Sequence, residues 1–399
     1  MAPGTPLIAD TETLAAFCDR LAGAAYVTVD TEFMREKTYW PQLCLVQVGG
    51  PDEAAAIDAL APQLDLAPLV ALMGDEKVLK VFHAARQDIE IFYYLTGGVP
   101  APLFDTQVAA MVCGFGDSVG YETLATKLAG GRIDKSSRFT DWAQRPLTER
   151  QLQYALADVT YLRTVYEKLR ARLDKSGRAG WLEEEMDELT NPATYRVEPS
   201  ESWRRFKLRG NSNRQFLALL QSVAAWREIA AQQRNLPRSR ILRDEAVLEI
   251  AAHAPKSIAD LARMRSVGKG IAEGRLGGDI LAAVERGLAA PASSAPQAAQ
   301  RADLPPGLGP IVDLLRVVLK LRCEEHGVAQ KLVASAEDLE LIAADDHADV
   351  RALSGWRYEL FGRDALEIKH GRLALTASGK RVRLVRLPDP IPAEAAAAR

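Results

Sequence analysis

Two carboxylates stand two residues apart at the end of an apolar, β-branched stretch, residues 27–33 (VTVDTEF). Because side chains on a strand alternate between its faces, Asp30 and Glu32 are predicted to point to the same side of a sheet. Two such acids repel each other and are costly to bury, and a divalent cation such as Mg²⁺ or Mn²⁺ relieves both costs. A strand end with two solvated acids is the other interpretation, and further carboxylates decide between the two.

Two further acids follow along the chain. Asp88 falls in the first turns of a helix that begins where a predicted strand ends, which is where α/β sheets place their sites. Complementing the charge of the helix N-terminus is the alternative role for Asp88. Farther on, Thr148 and Gln151 form a capping box that starts a long helix, and Asp158 lies on it four residues after Tyr154. That face is otherwise apolar, so Asp158 needs a buried partner.

The elements that must position these side chains change in type along the chain. A helix is predicted over residues 11–21, and strands over residues 26–33, 43–48 and 54–57. The tight connections between these strands indicate an antiparallel meander. Helices and strands then alternate, which predicts parallel additions to the same sheet. The first part of the chain is therefore predicted to be a mixed sheet covered by helices, and the part after residue 203 to be helical.

Charge divides the 399-residue chain into parts of opposite sign. Residues 203–290 hold 16 Lys and Arg against 8 Asp and Glu, although the whole chain has a net charge of −3. A basic module beside an acid-rich domain is typical of proteins that bind a polyanion, with solvated helix faces as the alternative. No membrane span, secretory signal or P-loop is visible, so neither a membrane nor ATP is an expected partner. Four cysteines without a C-x-x-C pair indicate a reducing, cytoplasmic location.

Taken together, the acids and the tyrosine resemble the three motifs of the DEDD exonucleases, and Tyr154 corresponds to the DEDDy branch. The surrounding sequence resembles the ribonuclease D family. The residues that carry this resemblance are Asp30–Phe33, residues 39–45 (YWPQLCL), Phe82–Ala84, Asp105–Gln107, Asp134–Ser136, Asp141–Trp142 and Arg145–Leu147. Residues 203–270 look like an HRDC domain, a helical module shared with RecQ-type helicases, and residues 307–362 look like a second, diverged copy.

This resemblance implies an α/β plus all-α architecture. A ribonuclease-H-like mixed-sheet exonuclease domain (1–190) would be followed by a linker (191–202), an HRDC domain (203–289), a second linker (290–306), a second HRDC-like domain (307–385) and a disordered tail (386–399). The second helical domain is acidic where the first is basic, so a packing role is as good an expectation as nucleic-acid binding. Residues 372–387 alternate like a β-hairpin around Gly379 and Lys380, for which no function follows.

The activity implied by the resemblance is that of a 3′–5′ exoribonuclease, which releases nucleoside 5′-monophosphates from RNA, in particular from tRNA precursors with 3′ extensions. Two divalent ions, Mg²⁺ or Mn²⁺, would lie about 4 Å apart. Asp30, Glu32 and Asp158 would hold one ion, and Asp30 and Asp88 the other. Tyr154, with an ordinary pKa of about 10, would stay protonated and orient the attacking water. The residues expected to contact RNA are Phe33, His83, Lys135, Arg138, Arg204 and Lys207.

Other functions could use the same residues. A DEDDy 3′–5′ DNA exonuclease would need the same acids and tyrosine, and the sequence identifies no contact to a 2′-hydroxyl that would separate RNA from DNA. A non-catalytic RNA-binding scaffold would be expected to lack at least one ligand, and none is missing. A helicase accessory would need an ATPase motif. Since no coiled-coil seam argues for assembly, a monomer is expected.

Overall fold

The computed structural model describes residues 7–134, 140–208, 213–291 and 305–388. An α/β domain is followed by two helical domains, and the second of these ends in a β-hairpin. Within the described ranges, every helix is too short or too polar to span a lipid bilayer.

The α/β domain is built on a six-stranded mixed sheet. Its strands are β1 (Leu7–Ile8), β2 (Tyr26–Met34), β3 (Gln42–Gly49), β4 (Ala54–Ile57), β5 (Leu79–Phe82) and β6 (Leu103–Asp105). Their spatial order is β1-β4-β3-β2-β5-β6. The meander β2-β3-β4 is antiparallel as predicted, whereas β5 and β6 add to it in parallel beside β2. The two-residue strand β1, which the sequence did not indicate, pairs in parallel with β4 at the other edge.

Helices cover both faces of this sheet. They are α1 (Thr11–Leu21), α2 (Ala67–Gly74), α3 (Arg86–Thr96), α4 (Thr106–Val112), α5 (Tyr121–Leu124, continued by a π-helical turn over Ala125–Ala129), α6 (Glu149–Ser176) and α7 (Glu183–Thr190). On one face, Val27 and Val29 pack in the same apolar cluster as Leu14 and Phe17 of α1. On the other face lies α6, which carries two of the residues predicted to do chemistry.

Both ends of α6 are fixed by local signals that the sequence shows. The predicted capping box is confirmed, because Thr148 accepts from the Gln151 amide and the Gln151 side chain accepts from the Thr148 amide. Gly177 ends the helix in the left-handed conformation. Close approach to the sheet depends on Gly49, since a Cβ there would lie 2.6 Å from Thr28 Oγ1 and 3.4 Å from Val159 Cβ. Helix α6 therefore lies directly against β2 and β3.

The first helical domain follows a connection that is itself structured. Short 3-10 helices occupy Ala179–Leu182, Pro192–Thr194 and Pro199–Arg205. The expected linker 191–202 therefore contains two helical turns, and Trp203 and Phe206 just beyond it lie in the core of the first helical domain. The helices of this domain are α8 (Arg214–Arg234), α9 (Arg238–Ile241), α10 (Asp244–His253), α11 (Ile258–Arg263), α12 (Lys269–Ala272) and α13 (Arg275–Ala289).

The loop between β2 and β3 joins the α/β domain to this first helical domain. Tyr39 is buried, and its hydroxyl donates to Glu228 and accepts from Arg238 (2.9 Å). The backbone amides of Tyr39 and Trp40 both donate to Asn235 Oδ1, at 3.1 and 3.0 Å. The base of the loop is thus held by the C-terminal end of α8.

The second helical domain packs against α4, α7 and the 3-10 turn before α7. Its elements are α14 (Gly309–His326), α15 (Gln330–Val333), α16 (Ala336–Ala344), a 3-10 turn (Arg351–Leu353), α17 (Gly355–Arg357, continued by a π-helical turn over Tyr358–Gly362), α18 (Arg363–Lys369), β7 (Leu373–Ser378) and β8 (Arg381–Arg386). The predicted hairpin is confirmed, and Arg386, placed in the expected tail, is the last residue of β8.

Polar and aromatic contacts hold this second helical domain in place. The Ala329 amide donates to the Met111 carbonyl (2.9 Å), and the Trp356 ring stacks on Trp181 at 4.2 Å. Arg357 is 2% exposed and forms ion pairs with Glu184 (2.5 Å) and Glu185 (3.0 Å). These contacts fix the second helical domain to the end of the α/β domain.

Candidate active site

Three of the predicted carboxylates converge at the end of β2. Asp30 and Glu32 come from the strand and Asp158 from α6, and a ligand oxygen of each lies within 4.8 Å of those of the other two. The alternation of side chains on β2 and the close packing of α6 account for this convergence. Oxygen donors at these separations suit a hard divalent cation.

The pairing of β2 with β3 sets the direction of these side chains. Asp30 lies opposite Gln47 and Glu32 opposite Leu45, but Phe33 lies opposite Leu43, so the register shifts between Glu32 and Phe33. A shift of this kind is a β-bulge, which re-aims the side chains beside it. Phe33 is partly buried and lines the same cleft as the two acids.

Asp88 is positioned by a sharp turn between β5 and α3. Ala84 in this turn has a φ of 58°, and Asp105 accepts from the amides of Ala84 (3.0 Å) and Ala85 (2.8 Å). Asp88 is buried and accepts a hydrogen bond of 2.5 Å from the Thr31 hydroxyl. It lies beside Asp30 but is not a member of the group within 4.8 Å. The structure therefore brings the fourth acid next to the other three without adding it to their cluster.

Burial and mutual repulsion make this acidic group hard to charge without a cation. Burial, followed by the charge of Asp158, raises the pKa of Asp30 well above its usual range. Burial, followed by the charge of Asp30, raises the pKa of Asp88 in the same way, and the Thr31 hydrogen bond only partly offsets this. Because a bound divalent cation would favour the charged carboxylates, the donor set fits such an ion.

The acids open onto a cleft of about 880 Å³. Among the described residues, its walls carry acids, aromatic rings and Lys37, a mixture suited to a ligand with both bases and phosphates. The lining side chains include Asp30, Glu32, Phe33, Glu36, Lys37, His83, Gln87, Tyr121, Asp141, Tyr154 and Asp158. Tyr154 lies in this cleft as predicted, with its ring 6.2 Å from that of Trp142. Trp142 itself is 3% exposed, so it belongs to the core and offers no face for stacking a base.

His83 lines the cleft but is held by the protein. Its Nδ1 lies 3.0 Å from the Thr106 hydroxyl, and its ring centroid lies 5.5 Å from that of Tyr121. Burial lowers the pKa of His83, although the charge of Asp105 opposes this shift. Nε2 is buried and has no hydrogen-bond partner within the part of the chain that the structure describes.

Two polar residues beside the acids carry no motif that sequence reasoning could recognise. Tyr121 donates to the Ala157 carbonyl (2.9 Å), and burial, followed by the charges of Asp158 and Asp30, raises its pKa. Gln47 is fully buried opposite Asp30, and neither amide atom has a hydrogen-bond partner among the residues placed by the structure. A buried polar group without a partner costs about 1–3 kcal/mol, so the fold gives up stability next to the acids.

The basic residues predicted to contact RNA lie elsewhere. Arg204 forms an ion pair with Glu201 and lies over the Trp203 ring at 5.2 Å. Lys207 is exposed, and neither it nor Arg204 is among the cleft-lining residues. Arg204 and Lys207 are exposed next to Trp203 and Phe206, which pack into the core of the first helical domain. Lys135 and Arg138 lie outside the described residues.

Comparison with known proteins gives a consistent result over the whole chain. Residues 6–174 match the 3′-5′ exonuclease family and residues 216–284 match the HRDC domain. The chain is 52% identical to ribonuclease D of Granulibacter bethesdensis, over 96% of this chain and 97% of that protein. It is 55% identical to ribonuclease D of Acidiphilium cryptum, over 97% and 98% of the two chains.

The fold is also shared with a solved structure. The crystal structure of Escherichia coli RNase D, an exoribonuclease involved in structured RNA processing, superposes with a TM-score of 0.77 at 32% identity and covers 92% of this chain and 98% of that one. The exonuclease family uses divalent metal ions, which the acidic group described above fits. With an exonuclease domain, an HRDC domain and similarity along its full length, the chain belongs to the ribonuclease D family and is a 3′–5′ exoribonuclease.

Proposed function

We propose that this exoribonuclease holds two divalent ions, Mg²⁺ or Mn²⁺, with four carboxylates. Asp30, Glu32 and Asp158 hold one ion, and Asp30 and Asp88 hold the other. The observation that carries this proposal is the convergence of three ligand atoms within 4.8 Å of one another, with Asp88 buried beside them. Bound divalent ions lower the pKa of water and neutralise charge on the scissile phosphate.

The remaining side chains of the cleft orient the RNA end. Tyr154 lines the cleft with the acids, and its hydroxyl would donate a hydrogen bond that holds the attacking water in line with the phosphate. Phe33 presents a ring on which the terminal base can stack. His83 is positioned by Thr106 and contributes to the wall near the terminal nucleotide. The products of this arrangement are nucleoside 5′-monophosphates.

The proposed substrates are tRNA precursors with 3′ extensions. Relatives at 52% and 55% identity carry the name ribonuclease D, and the E. coli protein of similar fold is described as acting in structured RNA processing. The first helical domain has the basic charge that a folded RNA would favour. Lys135, Arg138, Arg204 and Lys207 are proposed to contact phosphates upstream of the terminal nucleotide.

We further propose that the enzyme acts as a monomer in the cytoplasm. Cys18, Cys44, Cys113 and Cys323 are free thiols, as a reducing compartment would keep them. Sedimentation equilibrium at several concentrations tests the first statement, and a dimer mass at low concentration would contradict it. Fractionation of cells followed by immunoblotting tests the second, and enrichment in a membrane or extracellular fraction would contradict it.

The test of the metal site separates binding from activity. Mn²⁺ titration by calorimetry should give two ions per wild-type chain, about one in Asp88→Asn, and none at comparable affinity in Asp30→Asn, which shares both sites. Glu36→Gln is the matched control, because Glu36 is an acid of the same cleft outside the acidic group. It should bind two ions. A wild-type stoichiometry of one, or an Asp88→Asn variant that still binds two, would contradict the assignment.

The same variants should be compared on a 5′-labelled RNA with a 3′ extension and on the DNA of the same sequence. Wild type and Glu36→Gln should shorten the RNA from its 3′ end, and EDTA should stop the reaction. Tyr154→Phe should bind RNA with unchanged Kd but turn over at least about 100-fold more slowly, the range of general acid–base and positioning effects. Unchanged turnover in Tyr154→Phe would remove this tyrosine from the mechanism.

A further inference from the structure

The β7–β8 hairpin has an unusual charge for its domain. Residues 370–388 contain five Lys and Arg residues and no Asp or Glu, whereas residues 307–362 contain 10 acids and 6 Lys or Arg. The basic residues are Arg372, Lys380, Arg381, Arg383 and Arg386. A cluster of positive charges on an otherwise acidic domain indicates a surface that binds an anion.

The two faces of the hairpin differ in chemistry. Leu375 and Leu384 are paired across the strands and pack against the core of the second helical domain. On the opposite face, Arg381 is paired with Ser378 and Arg383 with Thr376. All four of these residues are exposed, and the pair of Ala374 and Val385 lies on the same face. Two neighbouring arginine–hydroxyl pairs therefore lie side by side on a two-stranded ribbon, where the described part of the chain leaves them exposed.

The outer arginines are available because the acids near the hairpin are engaged elsewhere. Arg372, at the base, forms an ion pair of 2.6 Å with Glu367. In the ranges that the structure describes, Lys380, Arg381 and Arg383 form no ion pair within 4.0 Å. Guanidinium groups and hydroxyls are among the side-chain groups that donate to phosphate oxygens in nucleic-acid complexes.

We propose that the outer face of the hairpin, formed by Arg381, Arg383, Thr376 and Ser378, binds the sugar–phosphate backbone of the RNA substrate at a distance from its 3′ end. RNA is the polyanion on which this enzyme acts, and the proposed contacts are hydrogen bonds from Arg, Ser and Thr to phosphate oxygens, which carry no sequence information. The contact is therefore independent of sequence. Because the second helical domain is fixed to the α/β domain through Arg357 and Trp356, binding at the hairpin and in the cleft reinforce each other on one long RNA.

Two double variants test this surface at equal change in net charge. The first is Arg381→Gln with Arg383→Gln. The control is Arg316→Gln with Lys320→Gln, two exposed cations of α14 in the same domain that pair with Asp313 (2.5 Å) and Glu324 (3.9 Å). Binding of a tRNA-sized RNA and of a short single-stranded oligonucleotide is measured over a range of salt concentrations with EDTA present.

The hairpin variant should bind the long RNA about tenfold more weakly. The slope of log K against log salt should become shallower by about 1.4, because each of the two lost phosphate contacts contributes about 0.7 for a single strand. Its affinity for the short oligonucleotide should not change. Arg381→Lys with Arg383→Lys should restore most of the slope, because the charge is retained. The control should match the wild type on both RNAs.

Three results would overturn the proposal. The salt slope of the hairpin variant could equal that of the control, the weakening could be as large for the short oligonucleotide, or the hairpin variant could lose binding only to vesicles of anionic lipid. The last outcome would assign the face to a membrane surface. Thermal unfolding of each variant within a degree or two of the wild type confirms that the comparison concerns binding and not folding.

Discussion

Replacing Tyr39 with phenylalanine should loosen the contact between the α/β domain and the first helical domain. The lost hydroxyl donates to Glu228 and accepts from Arg238 (2.9 Å) and Gln232 (3.2 Å). Hydrogen bonds to charged groups are worth about 1.5–3 kcal/mol. Arg238 remains paired with both oxygens of Glu228 in the variant, so no buried charge is left alone. We therefore expect the low end of that range, about 1.5–2 kcal/mol.

Two backbone amides report this loss directly. The N–H groups of Tyr39 and Trp40 donate to Asn235 Oδ1, and the substitution alters neither of them. Because they exchange with solvent only when the contact opens, a loss of about 1.5–2 kcal/mol should speed their exchange about 10- to 30-fold. Hydrogen-exchange mass spectrometry of the peptide that covers residues 35–41 measures this change under native conditions.

Tyr94→Phe is the matched control for this experiment. Its hydroxyl donates to the Tyr195 carbonyl (3.0 Å), while its ring packs 4.1 Å from that of Trp40 and is retained in the variant. Exchange of the 35–41 peptide should therefore stay within about twofold of the wild type, a few tenths of a kcal/mol. If Tyr39→Phe behaved like this control, the hydroxyl would not be holding the two domains together.

Three further predictions concern residues away from the cleft. In urea unfolding, raising the pH from 8 to 10.5 should increase the free energy of unfolding of the wild type relative to that of Lys80→Met. Burial lowers the pKa of Lys80 to about 8, so Lys80 holds more of its proton in the unfolded chain than in the folded chain over that pH range. Gly114→Ala should speed amide exchange at Ala329, since φ is +81° and a Cβ would lie 2.9 Å from the Gly327 carbonyl oxygen. Arg357→Met should lower the free energy of unfolding by about 1.5–3 kcal/mol, because it removes the buried guanidinium that pairs with half-exposed Glu184 and with Glu185; a loss below about 1 kcal/mol would contradict this.

The strand and helix that carry the proposed ligands could be predicted because each is specified by nearby residues. Alternation alone places Asp30 and Glu32 on one face, and the 4.8 Å group confirms that they converge. The capping box at Thr148 and the glycine at 177 define α6, so the spacing of Tyr154 and Asp158 could be interpreted on a known element. Local signals of this kind survive folding because packing adds to them and does not oppose them.

The rest depends on contacts between segments that are distant in sequence. The Tyr39 hydroxyl donates to Glu228, 189 residues farther along, and no local pattern around either residue indicates that pair. In the sequence, Gln47 is a polar residue within an otherwise apolar strand, and only the pairing of β3 with β2 places it beside Asp30. Arg204 pairs with Glu201, a contact that the prediction of phosphate binding from its charge does not include, and the phosphate contact itself stays a prediction.

The proposed ligands come from three separate segments, β2, the start of α3 and α6, so the ligand set is incomplete until α6 has been synthesised. A nascent chain that has exposed only β2 and α3 carries Asp30, Glu32 and Asp88 but lacks Asp158 and the helix that covers one face of the sheet. Domains near the N-terminus fold as they emerge from the ribosome. While it is being translated, the chain therefore has no ligand set capable of degrading the messenger that encodes it until α6 is free to dock.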